Sequence, residues 1–405
     1  MLGAIIGDIV GSIYEFNNIK TTNFPLISKN SHFTDDTVCT IAFMDWLLHS
    51  ETRSEKSATY YLRKWCTRYP SAGYGRMFSS WLRSKEPKPY GSYGNGAAMR
   101  ISPISWVAED AQERENLSKI ATSITHNHTE GIKGARVVTE CIFMSSHCCS
   151  KKMIRDFVIK EYPEISNFNY EELKRTYKFN SSCQNSVPQA IYCFLISNSY
   201  EDCIRKTVSI GGDSDTLAAI SGSIAEAYWG IPEYIINIFR DRLNPDMLII
   251  IDDFYKKFVN TEESPRLLRY VKAQENTYYN ALSEIKNGRK ESHWMWYILP
   301  QIKGLGLSEN SEYFGLDGLH EAWIYYNHPD LGKRLKELFH VIVDSKEKNI
   351  KKLFGYPDHL KLKSCATLFY LTTHEKVFKD VLNKYFDGEL DHSTMYLLID
   401  KNIRK

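Results

Sequence analysis

The segment Ile210-Gly-Gly-Asp-Ser-Asp-Thr216 stands directly before the run Leu217-Ala-Ala-Ile-Ser-Gly-Ser-Ile-Ala-Glu-Ala-Tyr228. The run predicts a helix crowded with alanine, serine and glycine, and such small residues let a neighbouring backbone approach closely. The segment before it is a turn with two aspartates and two hydroxyl groups at the helix N-terminus. This stretch therefore predicts a tightly packed helix with an acidic entry turn.

The N-terminal segment, residues 2–15, has the same small-residue character. It carries a stripe of glycines four positions apart, namely Gly3, Gly7 and Gly11. Asp8, Ser12 and Glu15 are spaced by four and three, so we expect them to line an adjoining face of the same helix. The rest of the segment is so apolar that the helix should be buried, and buried carboxylates need partners or a cation. Alternatively, Asp8 and Glu15 cap neighbouring elements.

Most of the remaining sequence also predicts helices, because apolar residues recur at i, i+3 and i+4. The repeats are clear in residues 38–46, 235–239 and 331–339. Loops are expected at residues 17–31, 84–96 and 177–186, where Pro, Gly, Asn and Ser gather. Few stretches alternate long enough to form strands, so the predicted fold class is all-α.

The length of 405 residues corresponds to two or three domains. The polar segment Asn260-Thr-Glu-Glu-Ser-Pro265 marks a boundary, because a chain rich in Gly, Ala and Ser precedes it and one rich in aromatic residues, Lys and Glu follows it. We expect one domain at residues 1–260 and a second at residues 266–405.

Charge and hydropathy exclude several classes of protein. Lys and Arg total 51 against 49 Asp and Glu, a net charge of +2, which disfavours a dedicated nucleic-acid-coating protein. No apolar run is long enough to span a membrane. The start of the chain lacks the basic region of a signal peptide. The nine cysteines are odd in number and show no paired framework, so the expected location is cytoplasmic.

A second acidic turn, Phe33-Thr-Asp-Asp-Thr37, also precedes an apolar helical run. One helix cap does not need two adjacent carboxylates and two hydroxyls, although a single capping turn is the ordinary interpretation of either turn alone. Together the two turns offer hard oxygen ligands and neither His nor Cys, which suits Mg²⁺, Mn²⁺ or Ca²⁺ rather than Zn²⁺. If the turns meet, two divalent cations at roughly 3.5–4 Å would balance the four carboxylates.

A glycine-rich segment, Tyr90-Gly-Ser-Tyr-Gly-Asn-Gly-Ala-Ala-Met-Arg100, is a candidate anion site. Its glycines permit positive φ, and backbone N–H groups exposed in that way bind phosphate oxygens. A flexible turn is the alternative. His126 stands before another helix, where it would contact an anionic ligand or remain a capped surface histidine.

These motifs resemble, in sequence and in order, those of the ADP-ribosylglycohydrolase family. The resemblance covers roughly residues 1–255 and includes Gly7-Asp-Ile-Val-Gly-Ser-Ile-Tyr-Glu15, Thr34-Asp-Asp-Thr37, Gly91-Ser-Tyr-Gly-Asn-Gly-Ala-Ala-Met-Arg100, Thr125-His126, Ser186-Val-Pro-Gln-Ala190 and Gly211-Gly-Asp-Ser-Asp-Thr216. It implies an orthogonal helical bundle with a dinuclear magnesium site, in which manganese can substitute. The implied metal ligands are Thr34, Asp35, Asp36, Asp213, Asp215 and Thr216. The residues implied to bind ADP-ribose are Ser92, Tyr93, Gly94, Asn95 and His126.

The resemblance also implies a reaction. A hydrolase of this family releases ADP-ribose from a modified acceptor by cleaving the C1″ glycosidic bond, and the expected catalytic residues are Glu15, Asp36 and Asp215. Glu15 would transfer a proton or gate the metal site. A protein side chain is the preferred acceptor; ADP-ribosylated nucleic acid and O-acetyl-ADP-ribose are alternatives. A non-catalytic ADP-ribose reader and a structural role, as in the family's eye-lens crystallins, are the rival functions.

The second domain carries Ser292-His-Trp-Met-Trp296 and Gly304-Leu-Gly306. These signatures resemble a small all-α bacterial domain of unknown function, which implies a helical accessory domain and no chemistry. An anion-binding or base-stacking pocket beside the tryptophans would be formed by Arg289, Lys290, His293 and Gln301. Alternatively, Trp294, Trp296 and Tyr297 are core or interface residues, and Arg289 and Lys290 belong to a solvated turn. We hypothesise that this domain recognises the modified target or its nucleotide.

Overall fold

The computed structural model describes residues 1–108, 110–147, 149–259, 267–306, 308–316 and 318–403. Within these ranges the chain is helical, and the only strand-like pairing consists of two isolated bridges, Gly94–Ser182 and Ile302–Leu316. The all-α prediction is confirmed. None of the helices in these ranges is long and apolar enough to cross a membrane.

The chain divides into two compact units, Met1–Val259 and Asn260–Lys405. The segment from Asn260 to Pro265, which the sequence suggested as the boundary, lies outside the described residues. Each unit has its own cluster of buried apolar side chains.

The first unit contains thirteen α-helices among its described residues. They are α1 (Leu2–Gly11), α2 (Asp35–His49), α3 (Glu55–Arg68), α4 (Arg76–Arg83), α5 (Ala111–Ser123), α6 (Thr129–Ser146), α7 (Lys151–Glu161), α8 (Tyr170–Thr176), α9 (Cys183–Leu195), α10 (Tyr200–Ser209), α11 (Ser214–Trp229), α12 (Glu233–Arg240) and α13 (Pro245–Phe254). Short 3₁₀ turns lie at Asn95–Ala97, Ser102–Trp106 and Pro163–Asn167, and a π-helical turn at Tyr255–Val259.

The glycine stripe of α1 packs directly on the backbone of α11. A Cβ atom added at Gly3 would collide with the carbonyl oxygen of Gly222, and one at Gly7 would lie 2.8 Å from the backbone nitrogen of Ala219. At Gly11 the added Cβ would be 2.5 Å from the backbone nitrogen of Asp215. These distances leave no room for a side chain, so the stripe brings the entry turn of α11 against the end of α1.

The first helix is shorter than the sequence predicted. It ends at Gly11, where we expected it to continue through Ser12 to Glu15. The Ser12 hydroxyl donates to the carbonyl oxygen of Ile9, and the Asn18 side chain donates to the carbonyl oxygens of Tyr14 and Glu15 at 2.6 and 2.9 Å. These bonds turn the chain after Gly11, so Glu15 lies on the following loop.

Two of the expected loops are also shorter. Residues 183–186 belong to α9, and Asn95 and Gly96 belong to a 3₁₀ turn. Pro188 lies inside helix α9, where it has no N–H to donate to the carbonyl oxygen of Gln184. The loop at residues 17–31 contains no helix, as predicted.

The second unit is built from ten shorter helices within the described residues. They are α14 (Leu268–Gln274), α15 (Tyr278–Lys286), α16 (Met295–Ile298), α17 (Glu309–Tyr313), α18 (Leu319–Asn327), α19 (Leu331–Asp344), α20 (Ile350–Phe354), α21 (Asp358–Thr373), α22 (Lys376–Tyr385) and α23 (His392–Ile403).

The tryptophan signature of this unit is part of its core. Trp294 is buried, and its indole N–H donates to Glu284 at 2.8 Å. Glu284 also accepts from the backbone N–H of Ser292, so one carboxylate holds the whole segment. Lys290 pairs with Asp358 at 2.6 Å, and His293 is exposed. The core interpretation of Trp294 is therefore correct, whereas the expectation that Lys290 lies in a solvated turn is wrong, because its side chain is buried in the ion pair.

Candidate metal centre

The two acidic turns meet at the end of α1. Carboxylate oxygens of Asp8, Asp36 and Asp215 lie within 4.8 Å of one another. Glu15, Asp213 and Asp215 form a second group within the same limit. All of these aspartates are buried, whereas Glu15 is partly exposed. Carboxylates from three distant parts of the sequence thus converge, and Asp215 belongs to both groups.

Asp8 fixes the entrance of α2. Its carboxylate accepts from the backbone N–H of Thr34 at 2.9 Å and of Thr37 at 3.1 Å, and from both hydroxyls at 2.7 and 2.5 Å. A carboxylate in this position satisfies free N–H groups and opposes the helix dipole. The capping interpretation of Asp8 is correct. Its bond to the Thr34 hydroxyl also orients one of the residues that the resemblance implies as metal ligands.

The two carboxylate oxygens of Asp36 differ in their surroundings. Its Oδ2 accepts from the Thr216 hydroxyl at 3.2 Å. Its Oδ1 is buried and has no hydrogen-bond partner among the described residues. A buried carboxylate oxygen without a partner is unfavourable, and a hard cation is the partner that this oxygen-rich surrounding fits.

Asp213 and Asp215 are oriented by neighbouring donors. The side-chain amide of Asn95 donates to Oδ2 of Asp213 at 2.7 Å and to the Ser186 hydroxyl at 3.2 Å. The backbone N–H of Thr216 donates to Oδ1 of Asp215 at 2.9 Å. Asn95, which the resemblance implies as an ADP-ribose contact, is therefore placed beside an acidic side chain.

The second acidic turn is held by Asn18 and Lys20, two residues that the sequence analysis did not select. Gly211 and Gly212 have φ of +70° and +79°. Asn18 accepts from the N–H of Gly212 at 2.8 Å and donates to its carbonyl oxygen at 2.9 Å, and Lys20 donates to the carbonyl oxygen of Ile210. The sequence signal for this role was the presence of two hydrogen-bonding side chains, Asn18 and Lys20, on the loop that follows α1.

Burial and mutual repulsion raise the pKa values of the cluster. Burial, followed by the charge of Asp8, raises the pKa of Asp36 well above its usual value and that of Asp35 to about 7. Burial and the charge of Asp213 raise the pKa of Asp215 strongly and that of Glu15 to about 7. The cluster therefore retains protons at neutral pH unless cations replace them.

A family model described as ADP-ribosylglycohydrolase matches residues 1–263, a range that contains every carboxylate of this centre. The chain belongs to the ADP-ribosylglycohydrolase family. The resemblance seen in the motifs is thus confirmed, and membership makes the chain an ADP-ribosyl glycohydrolase.

Curated relatives agree at low identity. The chain is 26% identical over 308 residues to human ADP-ribosylhydrolase ARH3, covering 58% of this chain and 85% of that protein. It is 23% identical over 254 residues to the ADP-ribosyl-[dinitrogen reductase] glycohydrolase of Rhodospirillum rubrum, covering 57% and 85%.

The second unit matches a different family model. Residues 264–398 match a protein of unknown function, DUF1810. A conserved hypothetical protein of Mycobacterium tuberculosis, Rv1873, has a solved structure that is 40% identical, with a TM-score of 0.32; the alignment covers 33% of this chain and 96% of that one. The expected fusion to a helical domain of unknown function is confirmed.

The glycine-rich loop of this glycohydrolase is less open than the sequence suggested. Among its three glycines only Gly91 has a positive φ. The N–H groups of Gly91, Gly94 and Asn95 donate to Asn127, to the Ser92 hydroxyl and to the carbonyl oxygen of Ser181. The prediction of a nest of exposed amides is wrong for these three N–H groups, because each already donates to an acceptor within the chain.

His126 lies beneath this loop. Cβ atoms added at Gly94 and Gly96 would lie 3.4 and 3.2 Å from its Nε2, which explains the two glycines as room for the imidazole. Its Nδ1 lies 2.7 Å from the Thr125 hydroxyl, to which the buried Arg100 also donates. Burial and then the charge of Arg100 lower the pKa of His126 well below its usual value. The residue is buried and neutral, not a surface histidine.

Proposed function

We propose that this chain is a magnesium-dependent hydrolase that releases ADP-ribose from an ADP-ribosylated protein side chain by cleaving the C1″ glycosidic bond. One observation carries the proposal: buried carboxylates from α1, α2 and α11 converge, and the buried Oδ1 of Asp36 has no hydrogen-bond partner among the described residues. Two divalent cations would balance this charge.

The oxygen-only surroundings favour magnesium, with manganese as a substitute. The residues that would hold two ions are Thr34, Asp35, Asp36, Asp213, Asp215 and Thr216. When bound, the ions would activate a water and hold the ribose hydroxyls in place. Asp36 and Asp215 are the central residues, since their oxygens lie together with that of Asp8 and both are held by Thr216.

Glu15 is the residue we assign to proton transfer. Burial and the charge of Asp213 raise its pKa to about 7 in the metal-free chain, so it binds a proton more readily than an ordinary glutamate. Its carboxylate lies within reach of Asp213 and Asp215 on the partly exposed side of the centre. Cleavage of a glycosidic bond passes through an oxocarbenium-like state, and a carboxyl group assists it by giving a proton to the leaving group or by taking one from the attacking water.

The glycine-rich loop would hold the ADP-ribosyl group. The half-exposed ring of Tyr93 supports a ligand contact at that residue and at Gly94 beside it, whereas Ser92 is buried and its hydroxyl accepts from the N–H of Gly94. Asn95 and His126 are buried behind them and would act by positioning Asp213 and the loop.

The rival functions fit the centre less well. A reader of ADP-ribose or a structural protein has no need for the complete set of buried carboxylates, which is costly to keep without catalytic use. The balanced charge of the chain disfavours a nucleic-acid acceptor. We also propose a cytoplasmic location, which the absence of disulfides among the described cysteines supports.

The test is release of ADP-ribose from arginine-linked, serine-linked, nucleic-acid-linked and O-acetyl substrates, each with magnesium and with chelator. Magnesium-dependent release from a protein substrate is expected. Tight binding of ADP-ribose without release from any substrate would favour the reader instead.

A further inference from the structure

Two exposed phenylalanines stand together at the mouth of the acidic centre. Phe16 follows Glu15 directly and is 86% exposed, and Phe179 is 51% exposed. Their ring centroids are 6.2 Å apart, with planes tilted by 21°. Apolar rings that remain in water beside a polar site are typical of a binding surface.

The segment that carries Phe179 is fixed over the second acidic turn. A Cβ added at Gly212, the residue before Asp213, would collide with the Tyr177 ring and lie 3.3 Å from the carbonyl oxygen of Lys178. Farther along, the carbonyl oxygen of Ser181 accepts from the N–H of Asn95 at 2.8 Å. Phe179 therefore lies on a segment that contacts both the second acidic turn and the glycine-rich loop, and its ring stacks on that of Phe16.

The Phe16–Phe179 pair forms a rim beside the acidic centre. An open groove of about 830 Å³ adjoins this rim. Its lining residues are Lys20, Asn169, Glu171, Glu172, Lys174 and Arg175. Lys20 connects groove and rim, because its Nζ donates to the carbonyl oxygen of Tyr177 at 3.1 Å and to that of Ile210.

The charge of the groove discriminates between partners. Three basic and two acidic side chains line it. A nucleic-acid backbone is bound by a clustered basic excess, whereas a lining of both signs complements a polypeptide with charged side chains of both signs.

We propose that the Phe16–Phe179 pair and this groove bind the polypeptide segment that carries the ADP-ribosylated side chain. The inference rests on the proposed function and adds its acceptor side. The rings contact an apolar side chain next to the modified residue, and the groove contacts its charged neighbours. Both phenylalanines are then specificity residues with no part in the chemical step.

The test compares a substrate that has a polypeptide with one that has none. In the full-length chain, Phe16→Ala and Phe179→Ala should lower kcat/KM for a mono-ADP-ribosylated protein about tenfold. Hydrolysis of O-acetyl-ADP-ribose by the same variants should stay within about twofold of the wild type, because that substrate does not reach the rim. Tyr60→Ala, which removes a 63% exposed ring on α3, is the matched control and should change neither rate.

Equal losses on both substrates would overturn the inference, since the pair would then serve the ADP-ribosyl group. Unchanged rates on both would overturn it too, and a loss confined to an ADP-ribosylated oligonucleotide would replace the polypeptide by nucleic acid.

If the wild type releases nothing, the proposed function fails, but calorimetry with chelator still decides the inference. An ADP-ribosylated peptide should then bind more tightly than ADP-ribose, and Phe16→Ala should remove that preference; absence of the preference in the wild type would reject the subsite.

Discussion

The side-chain amide of Asn95 donates to Oδ2 of Asp213 across 2.7 Å, although 118 positions separate the two residues. The bond joins the glycine-rich loop to the acidic turn before α11. It fixes the direction in which the other oxygen of Asp213 points, as outer hydrogen bonds do for metal ligands.

Replacing Asn95 by Ala should therefore weaken metal binding. We expect magnesium or manganese affinity, measured by calorimetry, to fall by about 10- to 100-fold, the range for lost outer-shell partners. Ser186→Ala is the comparison, because the Ser186 hydroxyl accepts only a longer bond, 3.2 Å, from the same amide nitrogen, and its loss leaves the bond to Asp213 in place; the affinity should change less. An unchanged affinity in the Asn95 variant would show that Asp213 needs no such support.

Replacing Asp36 by Asn should separate activity from stability. The amide cannot supply the same charge to a cation, so hydrolysis should fall by more than about 100-fold. With chelator present, the melting temperature should equal or exceed that of the wild type, because the variant removes an ionisable group that repels Asp8, Asp35 and Asp213. Asp35→Asn and Asp215→Asn should behave alike. Full activity in any folded one of these variants would reject the metal assignment.

The metal-free domain should lose stability as the pH rises. Asp35 and Glu15 have pKa values of about 7 in the folded chain, above the usual 3.8 and 4.5. The folded state therefore binds more protons than the unfolded state between these values, and this contribution is present at low pH and lost as the pH passes 7. With chelator, the melting temperature should be higher at about pH 5.5 than at about pH 8.

Magnesium and Asp35→Asn test the origin of this pH dependence. Saturating magnesium should raise the melting temperature more at the higher pH, where the carboxylates are ionised. The Asp35 variant should show a shallower pH dependence in chelator. An identical slope in the variant would assign the effect to groups outside the centre.

The sequence predicts those parts of this structure that local patterns encode. Apolar periodicity indicates the helices, and the spacing of Gly3, Gly7 and Gly11 indicates a close backbone contact. The residue types of the two acidic turns indicate a site for hard cations. Each of these signals lies within one helix or one turn.

What the sequence could not predict depends on contacts between distant segments. Asp8 receives its donors from Thr34 and Thr37, and Asn18 pairs with Gly212, but no local period links these positions. The glycines of residues 91–96 suggested a phosphate-binding nest, but Gly94 and Gly96 make room for the imidazole of His126, which lies far from them in the sequence. The spacing of Glu15 predicted a helical position, but the side chain of Asn18, on the loop beyond it, bonds the carbonyl oxygens of Tyr14 and Glu15, and the local period does not reveal these bonds.

The contact of α1 with α11 gives the most direct test of the fold. Gly7→Ala places a methyl group against the backbone of Ala218 and Ala219, where no flexible side chain can move aside. Overpacking of this kind costs about 1–3 kcal/mol or more, so the free energy of unfolding, measured with urea, should fall by at least that amount. Gly75→Ala is the matched control, because its Cβ would meet no atom within 4 Å and its φ of −59° suits any residue. Since Gly75 is the N-cap of α4, where Ala is less favourable than Gly, its loss of stability should be at most about 1 kcal/mol and smaller than that of Gly7→Ala. Because the same contact brings Asp215 beside Asp8, Gly7→Ala should also weaken metal binding at temperatures where the domain is still folded. Metal affinity that survives the loss of stability unchanged would mean that the two acidic turns are held together without the glycine stripe.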